Sequence, residues 1–509
     1  MQTADIVVIG TGAGGGTFAR AIAGSGARVV VLERGIRLPR EVENWSPEAV
    51  FLENRYKANE VWEDGGGRPF RPGVHYWVGG NTKVYGAVLH RMREEDFGDL
   101  EHEGGTSPAW PISYNGLEPY YGIAERWYLA HGKGGIDPTE PYRSIPYPFP
   151  PVPHDAYMRD LAGSLENLGL HPYPMPLGLE YFSGGRCIRC RTCDAFPCRV
   201  GAKADAECCG VDQALGDPNI ELWTGATARR LLTDSPGRKV TGVELERGGA
   251  VETLSAGTVV VACGAVNSAT LLLRSATSTH PGGLANRSGR VGRNYMVHNN
   301  AVLMAVHPTR INSSVVQKSI SINDFYFRGP GFPWPMGNLQ PVGKVHGAML
   351  KSAIRRVSSG LLGQIAARST DWWVMSEDLP DPENRVKLTS DGKTRIRWKP
   401  TNAVSHRRFI EVAKHVFREA GYPVVATKTM GIETNSHMVG TLRFGVDEGA
   451  SVLDPWCKAH DHDNLYVVDA SFFPSSSAVN PALTIMAQSI RVADHLTGRD
   501  SLSIERDTA

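Results

Sequence analysis

The stretch "DIVVIGTGAGGGTFARAIAGSGARVVVLERG", residues 5–35, limits the possible folds more than any other in this chain. Asp5 to Ile9 is a short apolar run of buried-strand type. Gly10, Gly12 and Gly15 follow it in G-x-G-x-x-G spacing. Thr17 to Ala23 has helical spacing, and "RVVVLE" reads as a second strand ending at Glu33. A strand, a glycine turn, a helix and a parallel strand form a Rossmann-like unit, and the expected class is α/β. Its glycines allow a tight turn, close backbone approach to a pyrophosphate and close helix–strand packing, with the phosphates on the helix N-terminus. Glu33, at the end of the second strand, is placed for a ribose 2′-hydroxyl. An acid there argues against a 2′-phosphate, so FAD or NAD fits better than NADP.

Three more stretches choose between those two. "HYWVGGNTKVYGAVLHR" (His75 to Arg91) holds a second glycine turn. "GTVVVACGAVNSATLLLRS" (Gly257 to Ser275) is a buried strand, a turn and an apolar helix. "NLYVVDASFFPSSSAVNPALTIMAQSIRVADHL" (Asn464 to Leu496) is a strand, an Asp-Ala-Ser turn and a helix after Asn-Pro. With the N-terminal unit, these motifs resemble, in the same order, the glucose-methanol-choline (GMC) family of FAD-dependent oxidoreductases.

The resemblance implies roles residue by residue. Gly10, Gly12, Gly15 and Glu33 match the ADP-binding turn and its ribose acid. Gly79, Gly80 and Asn81 match the loop along the pyrophosphate and flavin. Ala228, in "TGATARRLL", matches the strand whose backbone meets the adenine. Cys263 and Gly264 match the turn beside the ADP half; Asp469 and Ala470 match the turn near the flavin chain, and Pro481 is assigned to the cofactor as well. "GRVGRNYMVH" resembles a loop leading into the substrate domain, and its His298 reads as structural. Some members carry a histidine bonded to the flavin after the second glycine turn. Here that stretch is "GGNTKVYGAV", with Lys83 and Tyr85, so FAD is expected to be held non-covalently.

"NSHMVGTLRFG" (Asn435 to Gly445) fits the family's H-x-x-G-T catalytic stretch at His437. The family's partner position falls on Asn480 in "AVNPALT". A histidine–asparagine pair resembles the bacterial pyranose-oxidase-like branch, which includes enzymes oxidising C-glycosides at C3. The implied reaction is oxidation of a secondary ring hydroxyl of a pyranose or glycoside to a keto-sugar, with oxygen as acceptor. The chemistry suits these residue types: removing a hydroxyl proton needs a base that titrates near neutrality, while a hydride goes to flavin N5. Two rivals stay open: a sugar dehydrogenase passing electrons to a quinone or through an iron–sulfur cluster to a cytochrome, and a lyase that keeps FAD without using it.

At 509 residues, with roughly 150 per domain, the chain is expected to hold more than one core. A discontinuous FAD-binding domain is expected at 1–100, 186–298 and 431–500. The substrate-binding domain, α+β on a largely antiparallel sheet, is expected at 101–185 and 299–430. A proline-rich arm lies near 137–155, and "RVKLTSDGKTRIRW" reads as a hairpin around Asp391-Gly392. Trp334, Trp372 and Trp373 are candidates for stacking on a sugar, and Gln340 for binding a hydroxyl. "RRVSSGLLGQIAARS" shows few core signals, and the terminal "SIERDTA" reads as frayed.

Lys plus Arg number 54 and Asp plus Glu 53, which leaves no electrostatic footprint for nucleic acid or an anionic membrane. Without an apolar run of about 18 residues or a leader pattern, the expected place is the cytoplasm. Cys187, Cys190, Cys193 and Cys198 stand at C-x2-C-x2-C-x4-C, close to an iron–sulfur spacing, but proline precedes the last cysteine instead of following it. No metal is expected; buried thiols are preferred over a cluster or a structural zinc.

Overall fold

The computed structural model describes residues 2–499 and 501, so "SIERDTA" lies outside the described residues. Its largest sheet has seven strands, mainly parallel. In order they are Ile220–Thr224, Val29–Glu33, Gln2–Ile9 and Ala250–Val261, with Leu465–Val467 parallel beside the end of the last. Val240–Arg247 and Ala226–Thr233 complete the sheet by antiparallel pairing. The central strands read as continuous apolar runs because both faces are covered; Val7 and Val8 are fully buried.

Register explains why this sheet builds a site. Ile9 lies opposite both Leu32 and Val261. The strand ends therefore stop together, and Gly10, Glu33, Cys263 and Asp469 emerge along one crevice. Ligands bind there in open α/β sheets.

The first helix spans Ala13–Ile22, starting earlier than its apolar spacing predicts. It encloses Gly14, Gly15 and Gly16 because a side chain at these points has no room. A Cβ on Gly15 would fall 1.9 Å from the Gly10 carbonyl oxygen, and one on Gly14 2.0 Å from that of Val468. The C-terminal helix, Ala482–Thr497, packs against it.

A second, four-stranded antiparallel sheet runs Asn338–Pro341, Ser369–Ser376, Asn299–Val306, Val424–Thr429. The helix Ala403–Glu419 lies against it, with Phe409, Ala413 and Phe417 in one core with Leu303, Trp372 and Val374. The fold is thus α/β with a Rossmann-like FAD-binding part and an α+β part on an antiparallel sheet. The hairpin Arg385–Leu388 with Thr394–Arg397 forms around Asp391-Gly392 as the turn residues predict. It is joined edge-on by Trp62–Asp64. Residues 359–367, weak in core signals, form a helix opened by Ser358, whose hydroxyl accepts from the Leu361 amide. Among the described residues no helix is long and apolar enough to cross a membrane.

Candidate active site

A cavity of about 820 Å³ follows the crevice from Gly10, Gly12, Glu33 and Ala228 to His437, Asn480 and Gln340. That is at the upper end of ligand-site volumes, which run about 300–1,000 Å³. Gly80, Asn81, Cys263, Gly264, Asp469, Ala470 and Pro481 also line it. Gly15 and Gly79 stand behind the wall: the first packs helix to turn, the second adopts a φ of +95° that turns the loop.

The residues fit a dinucleotide. Gly10 has φ +104°, and a Cβ there would strike the Ala262 carbonyl oxygen at 2.3 Å; Gly12 has open space where its Cβ would be. Glu33 is buried; it accepts from the Thr11 amide and hydroxyl at 3.2 and 2.5 Å and from the Gly35 amide at 2.8 Å. Those bonds fix the carboxylate at the cavity wall, where lone pairs remain for a ribose. Asp469 does different work. It accepts from the amides of Gly264 (3.0 Å) and Ser471 (2.9 Å), stitching two cavity turns together. Asn81 likewise pins its loop, accepting from the His75 amide at 2.9 Å. Lys83, buried between Asp205 (2.9 Å) and Glu207 (2.5 Å), anchors the same loop.

At the other end, Met296 and Val439 exchange backbone hydrogen bonds at 3.1 and 2.9 Å. This local pairing brings His298 against His437, with the two Nδ1 atoms 2.9 Å apart. Burial, then the neighbouring His298 and Lys318, push the His437 pKa well below its ordinary value. Asn480 enters just before the C-terminal helix, whose cap is Pro481. Its Oδ1 accepts from Gln340 Nε2 at 2.8 Å. Gln340 is fully buried; its nitrogen is committed to Asn338 and Asn480, while Oε1 has no partner among the described residues.

Several cavity residues carried no signal in the sequence. Asn300, Asn435 and His75 each present a buried polar atom without a partner among the described residues. Asp194 and Lys318 also line the wall, paired at 3.0 Å. Of the tryptophans, Trp373 lines the cavity opposite Gln340 across the strand pair; Trp372 is core and Trp334 packs beside it. His298, read as structural, touches the candidate base. Cys187, Cys190, Cys193 and Cys198 are free and half-buried. Among the described residues, no three His, Cys, Asp or Glu side chains converge on a point that could hold a metal. Burial pushes the Cys193 thiol up to about 12.

A doubly wound sheet with a long crevice at its strand ends, lined further along by residues of the antiparallel sheet and by His437 and Asn480, is the arrangement of a dinucleotide-binding protein. Comparison with known proteins narrows the class. Sequence profiles described as GMC oxidoreductase match residues 161–300 and 380–489. The chain is 30% identical to 6'''-hydroxyparomomycin C oxidase of Streptomyces lividus, over 97% of this chain and 92% of that protein. It is also 30% identical to paromamine 6'-oxidase of Streptomyces fradiae, over 97% and 91%. Fructose dehydrogenase large subunit of Gluconobacter japonicus is 27% identical, over 97% of both chains. Among solved structures, pyridoxine 4-oxidase superposes with a TM-score of 0.67 at 17% identity, covering 97% of this chain and 99% of that one. The chain belongs to the GMC oxidoreductase family, and that membership supports FAD as its cofactor.

Proposed function

We propose that the protein oxidises a secondary ring hydroxyl of a pyranose or glycoside, at C3 and including C-glycosides, to a keto-sugar. Non-covalently held FAD is the hydride acceptor and dioxygen the final one. The observation that carries this reading is that one cavity is lined by His437, whose pKa is held well below its ordinary value, and by Asn480, whose carbonyl is already occupied. FAD, when bound, supplies the acceptor for the carbinol hydride. His437 takes the hydroxyl proton, and Asn480 donates from Nδ2 to the oxygen as negative charge develops on it. Asn300, Asn435 and Gln340 offer amide groups to the other hydroxyls, and Trp373 offers an aromatic face. The absence of a histidine in "GGNTKVYGAV" supports the non-covalent state.

Two alternatives have specific support. The names of the two Streptomyces relatives carry a 6''' and a 6' locant, which favours an exocyclic hydroxyl. The likeness to fructose dehydrogenase favours a dehydrogenase that passes electrons to a quinone or through a cluster. Anaerobic addition of a glucoside, then air, with NMR of the product, separates the three. A bleached flavin that recolours rapidly, with a 3-keto product, is expected. An aldehyde product selects the exocyclic reading, and bleaching that persists in air selects the dehydrogenase.

A further inference from the structure

We propose that two buried hydrogen-bond chains, each ending on a group that can only accept, fix which atoms His437 and Asn480 show the substrate. His298 and Gln340 are then positioning residues. The inference rests on His437 and Asn480 being the catalytic pair.

The first chain starts at a carbonyl. His298 Nε2 lies 3.2 Å from the Ser476 backbone oxygen, which has no proton to give. Nε2 must therefore carry the proton. His298 is fully buried, with a pKa lowered to about 4 by that burial, so it is neutral and its Nδ1 is a bare lone pair. His437 Nδ1, 2.9 Å away, can only be the donor. A neutral imidazole protonated at Nδ1 has its lone pair at Nε2. His437 lines the cavity, and with Nδ1 taken by His298 its Nε2 is the ring nitrogen left to face it. The base is thereby held in the tautomer that accepts a hydroxyl proton. When it takes one, the Nδ1–H···Nδ1 bond remains satisfied, so the chain needs no rearrangement.

The second chain starts at a carboxylate. Asp137 is paired with Arg93 at 2.5 Å, and its pKa is lowered: burial opposes the charge, but Arg93 and the bonds from Thr139 and Asn323 outweigh it. An ionised carboxylate accepts only. Asn323 must then turn Nδ2 to Asp137 (2.8 Å), leaving Oδ1 to accept from Asn338 Nδ2 (2.7 Å). Asn338 Oδ1 in turn accepts from Gln340 Nε2 (2.8 Å), whose other proton goes to Asn480 Oδ1 (2.8 Å). The outcome at Asn480 is that Nδ2, with its two protons, is left for His90 and the cavity. Reversing any one amide sets two acceptors or two donors face to face, at about 1–3 kcal/mol for each buried group left unpaired.

The test has a direct readout. Holoenzyme with 15N-labelled histidine is studied at pH 7.5 by long-range 1H–15N correlation, with His437→Ala assigning the signal. A pyrrole-type Nδ1 and a pyridine-type Nε2 are expected for His437; the opposite tautomer overturns the first chain. For the second, Gln340→Glu is nearly isosteric, but its carboxylate cannot donate. Asn480 then turns its nitrogen toward the carboxylate and shows the substrate an oxygen. Anaerobic flavin reduction at saturating glucoside should slow ~100-fold at pH 8, the size of losing one oxyanion donor. The rate should recover as falling pH protonates the introduced carboxyl. An unchanged rate, or a loss that pH does not relieve, overturns the second chain. Normal flavin reduction in His437→Ala would instead sink the catalytic assignment itself, while leaving the tautomer measurement intact.

Discussion

Asn300 Nδ2 donates to Asn435 Oδ1 at 3.2 Å, and this leaves Asn300 Oδ1 and Asn435 Nδ2 without partners among the described residues, on two buried, cavity-lining side chains. One bond between the amides thus leaves an acceptor and a donor side by side. That combination suits a hydroxyl, which donates once and accepts once. Asn300→Ala should raise KM about tenfold, with flavin reduction at saturating sugar within about threefold of wild type. Rapid-mixing kinetics over a range of glucoside concentrations check this, and an unchanged KM would remove Asn300 from the sugar site.

The pH profile follows from the His437 environment. Protonated His437 cannot accept a proton, so the rate of flavin reduction falls as pH drops through its pKa. Burial, His298 and Lys318 all hold that pKa well below 6.5. The reductive rate should therefore stay flat from pH 8 through 6, with the acid limb lying lower. Stopped-flow reduction across this range measures it; a half-maximal rate near 6.5 would place an unperturbed base at the site.

Glu33 is the next test, because its carboxylate joins the Thr11 turn to Gly35 and faces the cavity. Glu33→Ala removes both links and the ribose acceptor. The FAD dissociation constant should rise ~10–100-fold, as for the loss of about 1–3 kcal/mol of buried hydrogen bonding. Flavin fluorescence titration of the reconstituted apoprotein reads the change.

How much of this was legible in the sequence depends on how far apart the partners lie along the chain. The turn at Gly10 and its acid at Glu33 are local, and so is the hairpin at Asp391-Gly392; spacing alone announces them. The candidate catalytic stretch at His437 is readable as a motif. The links that orient it are not, because His298 Nδ1 meets His437 from 139 residues away and Asn323 meets Asp137 from 186. Single asparagines and a histidine carry no periodicity, and only the pairing of Met296 with Val439 brings the two histidines together. Gln340 read as a hydroxyl binder because its residue type suits one; in the fold its amide nitrogen is spent inside the protein. The proline-rich arm near 137–155 carries no hint that its Asp137 would anchor a chain of amides.

Beneath the site, Arg91 is buried with only 1% of its side chain exposed, between Glu118 and Glu125, each at 2.8 Å. Arg143 reaches Glu125 as well, at 2.6 Å. Burial alone would raise the Glu125 pKa, but Arg91 and Arg143 outweigh it and the carboxyl stays below its usual range. Removing Arg91 strands the buried Glu118 and leaves Glu125 with Arg143 alone, and breaking a buried pair of this kind costs about 3–5 kcal/mol. Arg91→Met should therefore lower the thermal midpoint by roughly 3–5 °C. The exposed pair of Arg28 with Asp5 supplies the control. Arg28→Met loses an ion pair that water and salt already screen, and its midpoint should stay within about 1 °C of wild type. Differential scanning fluorimetry of both variants, FAD-loaded, compares them directly. Equal shifts would mean that the buried cluster contributes no more than a surface pair.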